Sequence, residues 1–124
     1  MKKANFFGAL FALLSFIIGA FNSHALKKLL PEIALESIDV ALRYMMYHGL
    51  ALLILSILPL KEKKYVINLF IYGTILFSFS ILFLSFQPII NFNVSWLGPI
   101  TPIGGFLLII GWIYLLYKFT KGKE

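Results

Sequence analysis

The feature that most constrains this chain is a set of four long apolar runs in only 124 residues. Hydrophobic residues make up 60% of the sequence and charged residues 13%, whereas soluble domains have about 45–50% apolar and about 25% charged residues. A soluble protein of this size could not bury so much apolar surface, so lipid must cover part of it. The sequence therefore predicts an all-α polytopic membrane protein. It forms one domain over 1–124, with spans at about 4–21, 44–60, 65–86 and 100–117.

The first apolar run, residues 4–21, has two interpretations. Lys2 and Lys3 precede it and Ser23-His24-Ala25 follows it, an arrangement that resembles a signal peptide with its cleavage site. However, the run has 18 residues, enough to span the hydrocarbon of a bilayer. We favour a retained helix, because small residues recur on one face and would let helices approach closely in lipid. These are Gly8, Ala12, Ser15 and Gly19.

The connection between the first two spans carries a charged stripe. Its members recur at four, three and four residues, which places them on one face of a helix. They are Glu32, Glu36, Asp39 and Arg43. Pro31 suits the first position of such a helix. We expect an external amphipathic helix that lies on the membrane surface between the first and second spans. Because no helix breaker intervenes before Leu58, this surface helix can continue directly into the second span.

The distribution of Lys and Arg predicts the orientation of the chain. With four spans, one side of the membrane has eight such residues: two in the amino terminus, three in the second connection and three in the carboxyl terminus. The other side has three, all in the first connection, and the third connection has none. The positive-inside rule then places both termini in the cytoplasm of a multi-pass protein in the cell (inner) membrane. Topology also explains the net charge of +6, and no nucleic-acid partner is expected.

Two histidines at the predicted span ends are the strongest candidates for a functional role. Ionisable groups within spans usually face the bundle interior and often mark function, and a histidine can transfer a proton or bind a metal. Antiparallel helices would bring the histidines into one outer polar layer, where they bind a ligand, move a proton or are simply hydrogen-bonded for structural reasons. The candidate layer comprises His24, Tyr44, Tyr47, His48, Ser80 and Thr101.

The fourth span begins with an unusual concentration of glycine and proline. Two prolines and three glycines occur within Gly98–Gly105, where prolines stiffen the entry and glycines allow close helix contact. We predict helix packing through two sets of small residues. The first span contributes Gly8, Ala12, Ser15 and Gly19, and the fourth contributes Gly104, Gly105 and Gly111.

The sequence carries no recognised catalytic motif. We find no nucleophile elbow, P-loop, dinucleotide fingerprint or His-x-x-x-His spacing. The absence of cysteine excludes disulfides and thiolate metal sites. We therefore expect no enzyme, no cofactor and no metal site. The thirteen phenylalanines are explained by helix surfaces that face lipid.

Four motifs in order carry a resemblance to a known family. They are Gly19-Ala20-Phe21-x-x-His24-Ala25-Leu26, Tyr44-x-Met46-Tyr47-His48-Gly49-Leu50-Ala51, Phe77-Ser78-x-Ser80 and Leu97-Gly98-x-Ile100-Thr101-Pro102-Ile103-Gly104-Gly105 with Gly111-Trp112. Together they resemble the domain-of-unknown-function 423 family, which includes small membrane proteins of the YgdD and transmembrane protein 256 types. The resemblance extends over nearly the whole chain. It implies four membrane helices and no established biochemical activity.

Three classes of function remain after this reasoning. The first is a structural or accessory membrane protein that binds membrane lipid or a membrane-protein partner. The second is a small transporter or channel, oligomeric because four helices leave little room for a pathway, with His48 lining the route. The third and weakest is a membrane enzyme, because no acid, nucleophile and oxyanion donor can be assembled from these residues. A homo-oligomer is compatible with the first two classes.

Overall fold

Four long helices form the protein. A computed structural model describes residues 2–121. The helices are α1 (Lys2–Ser23), α2 (Glu32–Ile57), α3 (Lys64–Ser85) and α4 (Ile100–Lys121). By length and composition all four can cross a membrane. The predicted all-α class with four membrane-length helices is therefore confirmed.

Short connections make consecutive helices antiparallel neighbours. Helix α1 packs on α2, α2 on α3 and α3 on α4, so α2 and α3 occupy the middle of the bundle. The α2–α3 turn is fastened by Lys63, whose Nζ donates to the carbonyl oxygens of Leu58 at 2.6 Å and Ser56 at 3.3 Å. These carbonyls lie in the last turn of α2 and at the residue just after it, where backbone acceptors have no helical partner. In the same turn Glu62 has a φ of 56° and pairs with Lys118 of α4 at 3.2 Å.

The prediction of an external amphipathic helix is wrong. Residues 32–43 are the first half of α2, which continues without a break to Ile57. Apolar residues in this half are buried at the same spacing as those in the second half, because the stripe that packs on the bundle runs the whole length of α2. The buried stripe includes Ala34, Ile38, Ala41, Met45, Leu52 and Leu55. The charged stripe is the opposite face of one long helix.

Glycines bring two pairs of helices unusually close together. A Cβ added to Gly8 would lie 2.8 Å from the carbonyl oxygen of Gly49, so the backbones of α1 and α2 nearly touch there. A Cβ on Gly104 would collide with backbone atoms of Gly73, Leu76 and Phe77 in α3. Small residues allow such contacts, which supply much of the packing energy between helices in lipid.

Helix α3 contains a π-helical segment at Ile75–Phe79, and Gly104 of α4 packs against this segment. Buried hydroxyl groups lie within this segment and at its ends. Ser78 donates to the carbonyl oxygen of Ala41 in α2 at 2.8 Å. The hydroxyl of Thr74 is fully buried and has no hydrogen-bond partner among residues 2–121. Ser78 and Ser80 are two residues apart and therefore point to different sides of the helix. Ser78 bonds to α2, and Ser80 bonds to Thr101 near the start of α4.

Candidate functional site

His48 lies in the interior of the bundle, where three helices meet. Only 3% of its surface is exposed. Its ring packs edge-on against Phe70 of α3, with 5.0 Å between ring centroids, and against Trp112 of α4 at 5.8 Å. Phe70 and Trp112 also contact each other at 4.8 Å. The histidine is thus enclosed by aromatic rings from both neighbouring helices.

Both ring nitrogens of His48 have partners. The indole N–H of Trp112 donates to Nε2 at 2.9 Å, and Nδ1 lies 2.7 Å from the carbonyl oxygen of Tyr44. An indole nitrogen can only donate, so Nε2 must be the unprotonated nitrogen. The proton of the neutral ring then sits on Nδ1 and is donated to Tyr44. Protonating Nε2 would turn the Trp112 contact into two donors facing each other, so this geometry holds the neutral tautomer.

The two predicted tyrosines lie beside His48 but face outward. Tyr44 is 39% exposed and Tyr47 is 53% exposed. Tyr44 packs edge-on against Phe77 at 5.4 Å, and its ring centroid is 6.5 Å from that of His48. Tyr44 therefore borders the histidine, whereas Tyr47 contacts only Tyr44 within this aromatic group.

His24 is far from His48. It is exposed in the α1–α2 connection, beyond the end of α1. His48 is next to Gly49, which opposes Gly8 of α1. The offset between Gly8 and His24 is then on the order of 20 Å along the bundle at 1.5 Å per residue. The two histidines do not share one layer.

Ser80 and Thr101 form a separate polar contact between α3 and α4. Their hydroxyl oxygens are 2.6 Å apart, and Ser80 also bonds to the carbonyl oxygen of Phe77 at 3.0 Å. Thr101 lies eleven residues before Trp112 on α4, which is roughly 16 Å at 1.5 Å per residue. The residues assigned to one polar layer thus occupy three levels: His24 in a connection, Ser80 with Thr101, and His48 with the tyrosines.

The small residues predicted to pack helices lie at or near two contacts, one between α1 and α2 and one between α3 and α4. In α1, Gly8 meets Gly49 and Leu53, while Gly19 meets Leu42. Ser15 is buried and donates to the carbonyl oxygen of Ala12 at 3.1 Å. In α4 the contacts fall into a tight pair and a looser one. Gly104 and Gly111 approach α3 closely. A Cβ added to Gly105 would lie 3.4 Å from the ring of Phe77, which is an ordinary van der Waals distance.

No cluster of three or more His, Asp or Glu side chains suited to a metal ion occurs among residues 2–121. His48 makes hydrogen bonds and aromatic contacts within a closed site.

A second polar site, not predicted from the sequence, lies in a groove between α1 and α2. It has a volume of about 520 Å³ and is lined by Asp39, one of the three acids of the charged stripe, and by Arg43, its one base. Asn22 is buried at the end of α1 and donates from Nδ2 to Oδ1 of Asp39 at 2.9 Å. Asp39 and Arg43 are both exposed. The remaining lining residues are Ser15, Phe16, Gly19, Ala20, Ser23, Leu42 and Met46.

Sequence reasoning missed several partners that have only weak sequence signals. Trp112 was noted as part of the motif Gly111-Trp112, and nothing in its neighbours indicates that its N–H points at His48. Gly49 follows His48 directly, and no small-residue spacing marked its role opposite Gly8, because Met45, Met46, Leu52 and Leu53 lie three and four residues away. Asn22 is one turn beyond Gly19, and its polar side chain at a span end was the available signal for the bond to Asp39.

Comparison with known proteins agrees with the resemblance seen in the motifs. Residues 18–105 match the family model described as protein of unknown function (DUF423). A UPF0382 membrane protein of Haemophilus influenzae is 37% identical over 110 residues, covering 86% of this chain and 85% of that protein. One from Staphylococcus aureus (strain bovine RF122 / ET3-1) is 38% identical over 122 residues, covering 98% of each chain. No solved structure matches. The chain belongs to the DUF423 family, and the relatives that it matches are named as membrane proteins.

Proposed function

We propose that this integral membrane protein is a structural or accessory protein that binds a phospholipid in the groove between α1 and α2. The observation that carries the proposal is the position of Arg43. Its neighbour Leu42 packs against Gly19, inside the apolar run of α1, so Arg43 lies within the span and not beyond it. An exposed arginine at this depth is stabilised when it pairs with an anionic or polar group.

The part of the chain that the structure describes supplies no such partner. Among residues 2–121 the one ion pair joins Lys118 to Glu62 at the other end of the bundle, and no hydrogen bond involves Arg43. An arginine at the centre of a span costs ~2.5–3.5 kcal/mol, and less near the membrane surface. A lipid phosphate lies at the membrane surface, where an arginine near the end of a span can reach it. It can accept paired hydrogen bonds from a guanidinium, which would offset that cost.

The surroundings of Arg43 suit a lipid. Long side chains on a helix lean toward its amino terminus, which for α2 is the end near Ser23. The guanidinium is therefore directed toward the nearer membrane surface, where phosphates lie. Phe16 and Met46 give the groove an apolar wall for an acyl chain. Phe16 is 74% exposed and is covered by no other part of the described chain.

The bonding of His48 favours an accessory protein over the transporter alternative. A transported proton or ligand that used Nε2 would first have to displace the indole N–H of Trp112. The enclosure of the ring by Phe70 and Trp112 supports a structural role for this histidine.

We also propose that both termini face the cytoplasm from the cell (inner) membrane. The ends of the bundle differ in charge: Arg43 lies within α2, so the first connection holds only Lys27 and Lys28. Eight Lys residues belong to the opposite end. A reporter fused after Glu124 that is active only in the cytoplasm should give signal. A signal from a reporter active only outside would reverse the orientation.

Native mass spectrometry of the full-length protein from mild detergent tests the lipid proposal. Wild type should retain a bound mass equal to one phospholipid, and Arg43→Gln should reduce its occupancy about fivefold or more. Lys28→Gln is the matched control, because it removes one positive charge at the same end of the bundle from an exposed connection. All three proteins should unfold at similar temperatures.

Two results would overturn this proposal. One is a wild-type protein that carries no phospholipid when released from bilayers as well as from detergent. The other is equal loss of lipid in Arg43→Gln and Lys28→Gln, which would mean general attraction to positive charge and no defined groove.

A further inference from the structure

We infer that the α1–α2 groove selects a phospholipid whose headgroup carries a protonated amine, such as phosphatidylethanolamine, over an anionic phospholipid. This inference rests on the proposed function and adds the chemical class of the lipid. The inference is based on the order of charged residues along α2, from the middle of the bundle toward its end. Arg43 is deepest, Asp39 lies one turn closer to the end of the bundle, and Glu36 lies closer still.

An aminophospholipid carries its charges in the same order. Its phosphate is attached to the glycerol, and the ammonium lies beyond it toward water, in either leaflet. The complementarity therefore does not depend on which way the protein crosses the membrane. Asp39 and Arg43 are four positions apart on the helix, which corresponds to a rise of roughly 6 Å along its axis. This is comparable in scale with the two-carbon bridge between phosphate and amine.

Asp39 is held in position to receive the ammonium. Asn22 donates to its Oδ1 at 2.9 Å, which fixes the side chain on the groove side of α2 and leaves Oδ2 available. Asn22 is itself buried and also reaches the carbonyl oxygen of Leu35 at 3.4 Å. Glu36 adds a second negative charge on the same exposed face. An anionic headgroup would meet repulsion from both carboxylates where an aminophospholipid meets attraction.

A second copy of the chain fits this face less well. Copies inserted with the same topology and related by a two-fold axis along the membrane normal would place α2 parallel to its mate. Each Asp39 would then face Asp39 of the other copy, and each Arg43 would face Arg43, so like charges would oppose one another at the same depth. The charge order favours a lipid as the occupant.

Competition in bilayers of defined composition tests the inference. Full-length protein in discs containing equal amounts of phosphatidylethanolamine and phosphatidylglycerol is released into a mass spectrometer, and the bound lipids are counted. Wild type should retain phosphatidylethanolamine about fivefold over phosphatidylglycerol, equivalent to ~1 kcal/mol. Asp39→Asn preserves the acceptor for Asn22 and should bring the ratio close to one. Arg43→Gln should reduce retention of both lipids.

The outcomes separate this inference from the proposed function. If wild type retains phosphatidylglycerol as well as phosphatidylethanolamine, while Arg43→Gln still loses both, the selectivity is refuted and the lipid site stands. If the ratio is unchanged in Asp39→Asn, the carboxylate does not select the headgroup and the inference is also refuted. If Arg43→Gln retains both lipids at the wild-type level, the groove is not the site and both proposals fail. Lys28→Gln should change neither quantity.

Discussion

Substituting Gly104 with alanine tests the closest helix contact in the molecule. The new Cβ would lie 2.7 Å from the carbonyl carbon of Leu76 and 2.8 Å from the carbonyl oxygen of Gly73, and closer still to the backbone nitrogen of Phe77. Carbon atoms pack best at about 3.5–4.0 Å. The obstacles are backbone atoms, which cannot rotate away. Helix α4 must therefore move from α3 by on the order of 1 Å.

This displacement should weaken the contact in two ways. Overpacking of this kind costs typically 1–3 kcal/mol. The nearby hydroxyl contact of Ser80 and Thr101, 2.6 Å in the native bundle, would open by a similar amount and lose its hydrogen bond, worth ~0.6 kcal/mol on average between membrane helices. We expect Gly104→Ala to lower the free energy of unfolding by about 2–3 kcal/mol.

The neighbouring glycine provides a matched control. A Cβ on Gly105 meets only the ring of Phe77, at 3.4 and 3.5 Å, which is ordinary contact with a side chain. Gly105→Ala should change stability by less than about 0.5 kcal/mol. Unfolding in mixed micelles of increasing sodium dodecyl sulfate content, followed by tryptophan fluorescence, would measure both variants. Equal stability of the two variants would refute the argument, because it would mean that α3 and α4 do not approach through Gly104.

Two further predictions concern hydrogen bonds between helices. A double-mutant cycle of His48→Ala with Trp112→Phe should give a coupling energy of about 0.6–1.7 kcal/mol in the same unfolding assay, because the Trp112 N–H donates to His48. The control cycle pairs His48→Ala with Trp96→Phe, which changes an exposed tryptophan. A coupling energy no larger than that of the control would contradict the hydrogen bond. Ser78→Ala should lower the free energy of unfolding by about 0.5–1.5 kcal/mol, because Ser78 donates a hydrogen bond to a carbonyl oxygen of another helix. Ser56→Ala should cost less, because its hydroxyl bonds within its own helix, and equal costs would argue against the Ser78 contact.

The helices themselves could be predicted from the sequence because their signal is local. An apolar run of membrane length must satisfy its own backbone hydrogen bonds in lipid, and a helix does so within one segment. The same local reasoning failed for residues 32–43. Their charged stripe was read as a surface helix, but a pattern of polar residues identifies only the face that does not pack. The buried stripe of Ala34, Ile38 and Ala41 on the other face decided that this segment belongs to α2.

The grouping of the candidate residues could not be predicted in the same way. Assigning His24 and His48 to one layer required the register between α1 and α2, which depends on where their backbones approach most closely. The contact of Gly8 with Gly49 sets that register and leaves the histidines at different depths. His48 was singled out as an ionisable residue in a span, but its partner Trp112 is 64 positions away in the chain.

The sequence by itself therefore determined that this is a four-helix membrane protein, because length, hydropathy and family motifs are properties of single segments and their order. Only the tertiary structure decided what the polar residues contact. It paired His48 with Trp112 in a closed interior site, and it left Arg43 beside Asp39 in an open groove between α1 and α2. The physical reason is that side-chain partners depend on helix register and rotation. Those are set by close packing at a few glycines whose neighbours lie elsewhere in the chain.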